Sequence, residues 1–304
     1  MLQLLVAGLT VGSEYALIAL GIHIVLRATR VVNFAQGEFA IVGGLIAYSI
    51  VDGPHVPVWI GLAGAVLAGF ALGVAFERIV LRPAGRGGET GATIATIGAV
   101  FVLLYGHALV PGWGSEPHLP YGFPGTNLVL PIPSGIDWGK GSAAKAMTLI
   151  PAQSMWVVGL LLVALAVLYF FFERTYYGKA IRAAADNPLG ARLVGIDVWT
   201  ARAISVGLGI ALAAYAGTII GPITLVGGAG GFALTIKGFV AAIVGGLESP
   251  VGCVAGGFLV GVLEVFTTVK VGNDVAEPIV YSLLLAMLLV RPQGLFGRRD
   301  AVRD

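Results

Sequence analysis

The feature that most constrains this chain is a series of apolar runs, each about as long as a bilayer is thick. Residues 154–172, SMWVVGLLLVALAVLYFFF, hold no charged side chain, and about 20 such residues in a helix cross a hydrocarbon core. Similar windows cover 2–26, 56–75, 90–110, 203–225 and 276–290. Only 11% of the 304 residues are charged and 57% are hydrophobic, against about 25% charged in a soluble domain. Mean hydropathy is +0.93. The pattern predicts an all-α, polytopic transmembrane helical bundle, one domain over 1–304, with about eight or nine spans and interrupted helices. The first 26 residues lack a basic start and a small-residue cleavage site, so they read as a retained helix.

Two apolar regions are interrupted, and these carry the functional reading. The first, 31–51, opens VVNFAQGEF, with Asn33, Gln36 and Glu38 set in apolar surroundings. Asn33 followed three residues later by Gln36 has the layout of a capping box, which predicts a helix from Phe34 toward Ile50 that starts at membrane depth. Free N–H groups at such an end face anionic parts of a solute in discontinuous transporter helices. An ionisable side chain there, Glu38, marks a pathway or a buried pair. Glu14, His23 and Glu264 are similar cases that read first as structural partners. The second interrupted region, 232–268, breaks at Glu248-Ser249-Pro250 into 232–247 and 251–268. AIVGGL occurs at 40–45 and again at 242–247. Paired interrupted segments point to a central path, so the candidate path residues are Asn33, Gln36, Gly37, Glu38, Gly245 and Gly246.

Charge sets the expected orientation. The 76–89 loop, the 173–202 segment and the tail from 291 are arginine-rich, whereas 111–153 holds only Lys140 and Lys145. The positive-inside rule puts the first three in the cytoplasm and the last outside. The side of residue 1 depends on whether 31–51 crosses or re-enters. Within 173–202, an alanine-rich helix broken at Asn187-Pro188 and a second over 189–195 ending at Gly195 make an amphipathic docking surface. GxxxG spacings at Gly8/Gly12, Gly69/Gly73, Gly217/Gly221, Gly252/Gly256 and Gly257/Gly261 each imply no more than close helix contacts.

The sequence has no phosphate loop: Gly139-Lys140-Gly141 lacks the required Ser/Thr. It has no H-E-x-x-H and no G-x-S-x-G, and its single cysteine, Cys253, makes neither a disulfide nor a paired-cysteine metal motif. The reading is therefore not an enzyme, with no cofactor and no metal on the chain. A net charge of +2 gives no basis for a nucleic-acid partner.

GLTVGSEYALIALGIHIVLRATRVVNFAQGEFAIVGG near the start, ERIVLRPA at 77–84, RTYYGKAIRAAADNPLGARLVGIDV at 174–198 and VRPQGLFGRR at 290–299 together resemble the LivH-type permease of branched-chain amino acid ABC importers. The resemblance implies a heteromeric importer in a bacterial inner membrane. Its expected partners are a second related permease, cytoplasmic ATPase subunits that use the ATP, a periplasmic solute-binding protein and the lipid bilayer. It implies an ATPase contact over 178–197, with Gly178, Arg182, Asp186, Ala191 and Gly195 as its residues. Of the family's E-A-A-x-x-x-G pattern, only Ala191 and Gly195 match; Leu189 and Gly190 depart from it. The 111–153 stretch looks longer than the family norm and can be read as a contact for the binding protein, a lid or an insertion. A permease for urea, short amides or another small organic solute is the near alternative. A stand-alone carrier coupling through Glu38, Glu14 or His23 and a membrane enzyme are more distant ones.

Overall fold

The computed structural model describes residues 1–52, 56–114, 123–124, 129–133, 147–223, 230–291 and 293–297. They form a helical bundle: α1 (Leu2–Thr29), α2 (Gln36–Asp52), α3 (Val58–Phe76), a π-turn (Glu77–Leu81) leading into the short α4 (Arg82–Ala84), α5 (Gly88–Gly106), α6 (Ala152–Arg174), α7 (Tyr176–Asp186), α8 (Pro188–Leu193), α9 (Val198–Ile220), α10 (Gly230–Gly245), α11 (Pro250–Val271) and α12 (Asn273–Val290). Among the described residues, five helical stretches are long and apolar enough to cross a membrane, and α10 and α12 are shorter apolar helices. The expected 76–89 loop is instead helical turns that continue α3 toward α5, with Gly88 at φ +81° redirecting the chain. The 111–153 stretch lies largely outside the described residues. Within it, β1 (Val129–Pro133) and β2 (Met147–Pro151) pair antiparallel, Val129 opposite Pro151.

Local chemistry places the helix ends. Prolines 57 and 151 precede α3 and α6, and Pro188 and Pro250 occupy the first turns of α8 and α11, where a missing N–H costs nothing. Side-chain caps do the rest: Thr175 accepts from Gly178 N, Asn187 from Gly190 N and Ser249 from Gly252 N. Asp197 caps α9, which begins at Val198, five residues before the sequence-predicted start, and the Thr200 hydroxyl and the Trp199 N–H hold the Asp197 carboxyl below the usual range.

α1 is the central post, packed by α11, α9, α10 and α6, with Leu17, Ile18 and Ile22 fully buried. It meets α11 through glycines. A Cβ on Gly12 would lie 2.8 Å from Phe258 Cα, and one on Gly257 would lie 2.6 Å from Ala16 Cα. Both distances are below any real side-chain contact, so this seam admits no side chain. Gly69 and Gly73 seat α3 on α9 in the same way.

The contacts define two ends. Arg27, at the end of α1, pairs with Asp186 of α7, and Glu77, just past α3, lies 3.8 Å from Arg202 near the start of α9. Trp113 donates to Ser49 Oγ and Gln153 to Ile219 O at the other end. The 31–52 segment therefore runs from the α7 end to the opposite end, and residue 1 lies opposite α7.

Candidate functional site

The turn between α1 and α2 begins at Arg30, whose φ of 60° is left-handed and whose N–H closes α1 on Leu26 O at 2.8 Å. Thr29 Oγ1 then accepts from Val31 N, and Asn33 Oδ1 accepts from Ala35 N at 3.1 Å, folding the chain back into the bundle. Asn33 Nδ2 donates to Gln36 Oε1 at 3.0 Å, and Gln36 Nε2 donates to Gly209 O at 2.7 Å. Gly209 is midway along α9, and the Gln36 amide lies against Gly21 within α1. The helix therefore starts inside the bundle, as the sequence predicts. It starts at Gln36 rather than Phe34, because the two amides pair side chain to side chain instead of forming the reciprocal capping box.

The first turn of α2 meets the first turn of α10. Gly37 N donates to Thr235 Oγ1 at 2.8 Å, and Thr235 Oγ1 donates to Gly231 O at 3.1 Å. A Cβ on Gly231 would lie 2.5 Å from Glu38 Cδ, so the carboxylate rests on bare backbone. Asn33, Gln36 and Glu38 are all at 0% exposure. Neither Glu38 oxygen has a well-formed hydrogen bond among the described residues; the carboxylate faces the Phe232 N–H in the first turn of α10, where a helix N-terminus favours negative charge. On the other side, Thr96 Oγ1 of α5 accepts from Phe34 N and lies 3.2 Å from Val32 O. Two helices beginning at depth, with their N-terminal turns abutting, form a polar locus inside an apolar bundle.

Gly245 and Gly246 are not part of this locus. They lie about 21 Å along α10 from Gly231 at 1.5 Å per residue. There the tail folds over them: Leu295 N donates to Val244 O and Phe296 N to Gly245 O, each at 2.9 Å, capping otherwise orphan carbonyls. The two AIVGGL copies therefore pack differently, Gly43 on Ala214 and Gly245 on Gly252.

Of the other ionisable groups that the sequence singles out, Glu264 and His23 have structural partners. Glu264 accepts from Tyr15 OH at 2.6 Å and from Lys237 Nζ at 2.8 Å, and Lys237 also reaches Glu277 at 3.2 Å. Glu14 lies beside this group. His23 Nδ1 lies 2.6 Å from Leu247 O.

At the α7 end, Gly178 lets α7 cross close over α6, where a Cβ would lie 2.6 Å from Phe172 Cα. Arg182 pairs with Glu173 of α6, and Asp186 with Arg27 of α1 at 3.1 Å. Ala191 is 4% exposed and packs with Ile181, Val198 and Ala201. Gly195 has φ +84°, the helix-ending conformation the sequence predicts.

A family model described as the branched-chain amino acid transport system / permease component matches residues 4–291. The chain belongs to this family. The LivH permease protein of a high-affinity branched-chain amino acid transport system from Salmonella typhimurium is 30% identical, covering 98% of this chain and 96% of its own. The corresponding BraD protein of Pseudomonas aeruginosa is 31% identical over the same shares. A probable LivH from Methanocaldococcus jannaschii is 29% identical over 92% and 88%. Among solved structures, a chain of PsaBC from Streptococcus pneumoniae in complex with Fab covers 97% of this chain and 93% of its own, with TM-score 0.49 and 13% identity. The chain is thus a LivH-type permease, a multi-pass membrane protein of an ABC transport family and not an enzyme.

In this permease, sequence reasoning missed two sets of residues. Thr96, Gly209, Gly231 and Thr235 complete the polar locus, yet each is a small residue in an apolar run. On the surface of α8 and the turn after it, the apolar side chains presented outward are Leu189, Leu193 and Val194, at 74%, 89% and 75% exposure, while Ala191 faces inward. A run of exposed aliphatics between Pro188 and Gly195 was the available signal.

Proposed function

We propose that this permease carries branched-chain or related amino acids across a bacterial inner membrane, as one half of the path of an ATP-driven importer. The other half is a second, related permease. ATPase subunits dock on α7 and α8 at the cytoplasmic end, and a periplasmic binding protein delivers solute at the opposite end. The observation that carries this reading is the meeting of two helix N-termini, α2 and α10, within the bundle around Asn33, Gln36, Gly37 and Glu38. Such ends recognise a zwitterion through N–H groups and a carboxylate, without covalent chemistry. The relatives' names support the solute class. The distribution of cations supports the orientation: Arg27, Arg30, Arg78, Arg82, Arg174, Lys179, Arg182, Arg192 and Arg202 gather toward the α7 end, the side kept cytoplasmic in membrane proteins. Motion of α7 would reach α1 through Asp186–Arg27 and α6 through Arg182–Glu173.

The test is uptake of labelled leucine by liposomes holding the complete transporter, with ATP inside and binding protein outside. Glu38→Gln is expected to cut uptake strongly while ATPase subunits remain bound. Wild-type uptake at normal expression would remove Glu38 from the path.

A further inference from the structure

A groove unrelated to the polar locus runs along the outside of the bundle toward α7. Leu20 and Ile24 of α1 form its floor, Leu168 and Phe172 of α6 one wall, and Val254 and Phe258 of α11 the other. Its volume is about 580 Å³, within the range of ligand cavities. The flanking Tyr169 and Val251 are each 71% exposed, and Leu162, Val163, Val167 and Phe170 of α6 are exposed beside them. The groove thus opens sideways through the apolar surface, where lipid rather than water is the solvent.

Its two ends differ in chemistry. Toward α7 the lining changes to Arg27, Arg182 and Glu173, and each guanidinium has a carboxylate beside it, Asp186 for Arg27 and Glu173 for Arg182. Arg27 is about 10 Å along α1 from Leu20 at 1.5 Å per residue, a step from the hydrocarbon to the headgroup. Arg27 donates one hydrogen bond to Asp186, and Arg182 donates two to Glu173. Each guanidinium has five N–H groups, so both retain donors for a further anion. An apolar slot ending in two arginines with spare donors, at the end of the bundle where Arg30, Arg174, Lys179 and Arg192 also gather, is complementary to an anionic amphiphile, and the arginine fork suits a phosphate.

We propose that this groove binds one phospholipid with an anionic headgroup, its acyl chain against α1, α6 and α11 and its phosphate between Arg27 and Arg182. The headgroup then bridges α1 and α7, so the lipid steadies the docking helix against the bundle. The leaflet involved is the cytoplasmic one, which rests on the orientation proposed above.

The purified full-length permease, stripped of lipid in detergent, is titrated with palmitoyl-oleoyl phosphatidylglycerol and, separately, with the phosphatidylcholine of the same chains. Bound lipid is read by native mass spectrometry. Phosphatidylglycerol should be retained in preference to phosphatidylcholine, and Arg27→Gln and Arg182→Gln should each weaken it about fivefold, the worth of one basic contact near a membrane surface. Leu168→Trp fills the groove without touching either arginine and should abolish retention of both lipids. Equal retention of the two lipids, or unchanged phosphatidylglycerol retention in the arginine or tryptophan variants, overturns the site. So does a photocrosslinker at position 168, in the complete transporter, that captures the second permease instead of lipid. If retention is as expected but α7 proves to face the periplasm, the orientation fails and the site stands.

Discussion

Glu38 and Gly231 hold one another in place by distance alone. With the carboxyl carbon 2.5 Å from where a Cβ would sit, Gly231→Ala gains helix propensity but forces a methyl into an occupied position, which costs about 1–3 kcal/mol in a packed site. The variant should therefore unfold at lower temperature in detergent, and Glu38→Ala in the same chain should restore most of the loss, because the two substitutions act on one contact. Thermal unfolding of the four chains measures this; equal midpoints for Gly231→Ala and wild type would show the contact to be slack. The residues of this locus were unequally legible. Asn33, Gln36 and Glu38 announce themselves as polar groups in an apolar run. Thr96 and Thr235 do not, because a threonine in an apolar helix ordinarily bonds the carbonyl four residues back, as Thr10, Thr218 and Thr267 do here. What sets Thr96 and Thr235 apart is a second partner far away in sequence, Phe34 and Gly37 respectively, and no local pattern encodes that.

At the scale of elements, the apolar windows predict the long helices to within about five residues because an apolar run of bilayer length favours one continuous helix. The GxxxG pairs at 8/12 and 257/261 prove to face each other across α1 and α11, a pairing that spacing cannot supply. The short helices α7 and α8 were legible through Asn187-Pro188 and Gly195, but which side chains face out was not: Ala191 and Leu193 differ by two positions, about 200° around a helix, and only the packing of α8 on α7 and α9 decides between them. This separates two outcomes. Leu193→Asp changes a side chain that is 89% exposed, so the permease should express and unfold normally, since such surface changes stay within about 0.5 kcal/mol, yet lose co-purification of the ATPase subunits. Ala191→Asp buries an unpaired carboxylate among Ile181, Val198 and Ala201 and should lower expression and thermal stability before any docking defect is read. Normal ATPase capture by Leu193→Asp would place the docking contact elsewhere on α7 and α8.

For the molecule as a whole, sidedness decides whether the parts described can act together. An importer of the proposed kind needs its docking helices on the ATP side and the opening between α2 and α10 reachable from the other, and the bundle places residue 1 and α7 at opposite ends. The chain has one cysteine, Cys253, which is fully buried and stays silent toward an impermeant thiol reagent. Single cysteines introduced in place of Leu2 and Leu193 therefore report the two ends separately. In cells whose outer membrane admits the reagent while the inner membrane stays sealed, Leu2→Cys should be labelled directly and Leu193→Cys only after the inner membrane is breached. Labelling of Leu193→Cys in sealed cells would turn the molecule over. The arginines around α7 would then face the side from which cationic loops are normally excluded, and the ATPase docking assigned to α7 and α8 would have no ATP to draw on.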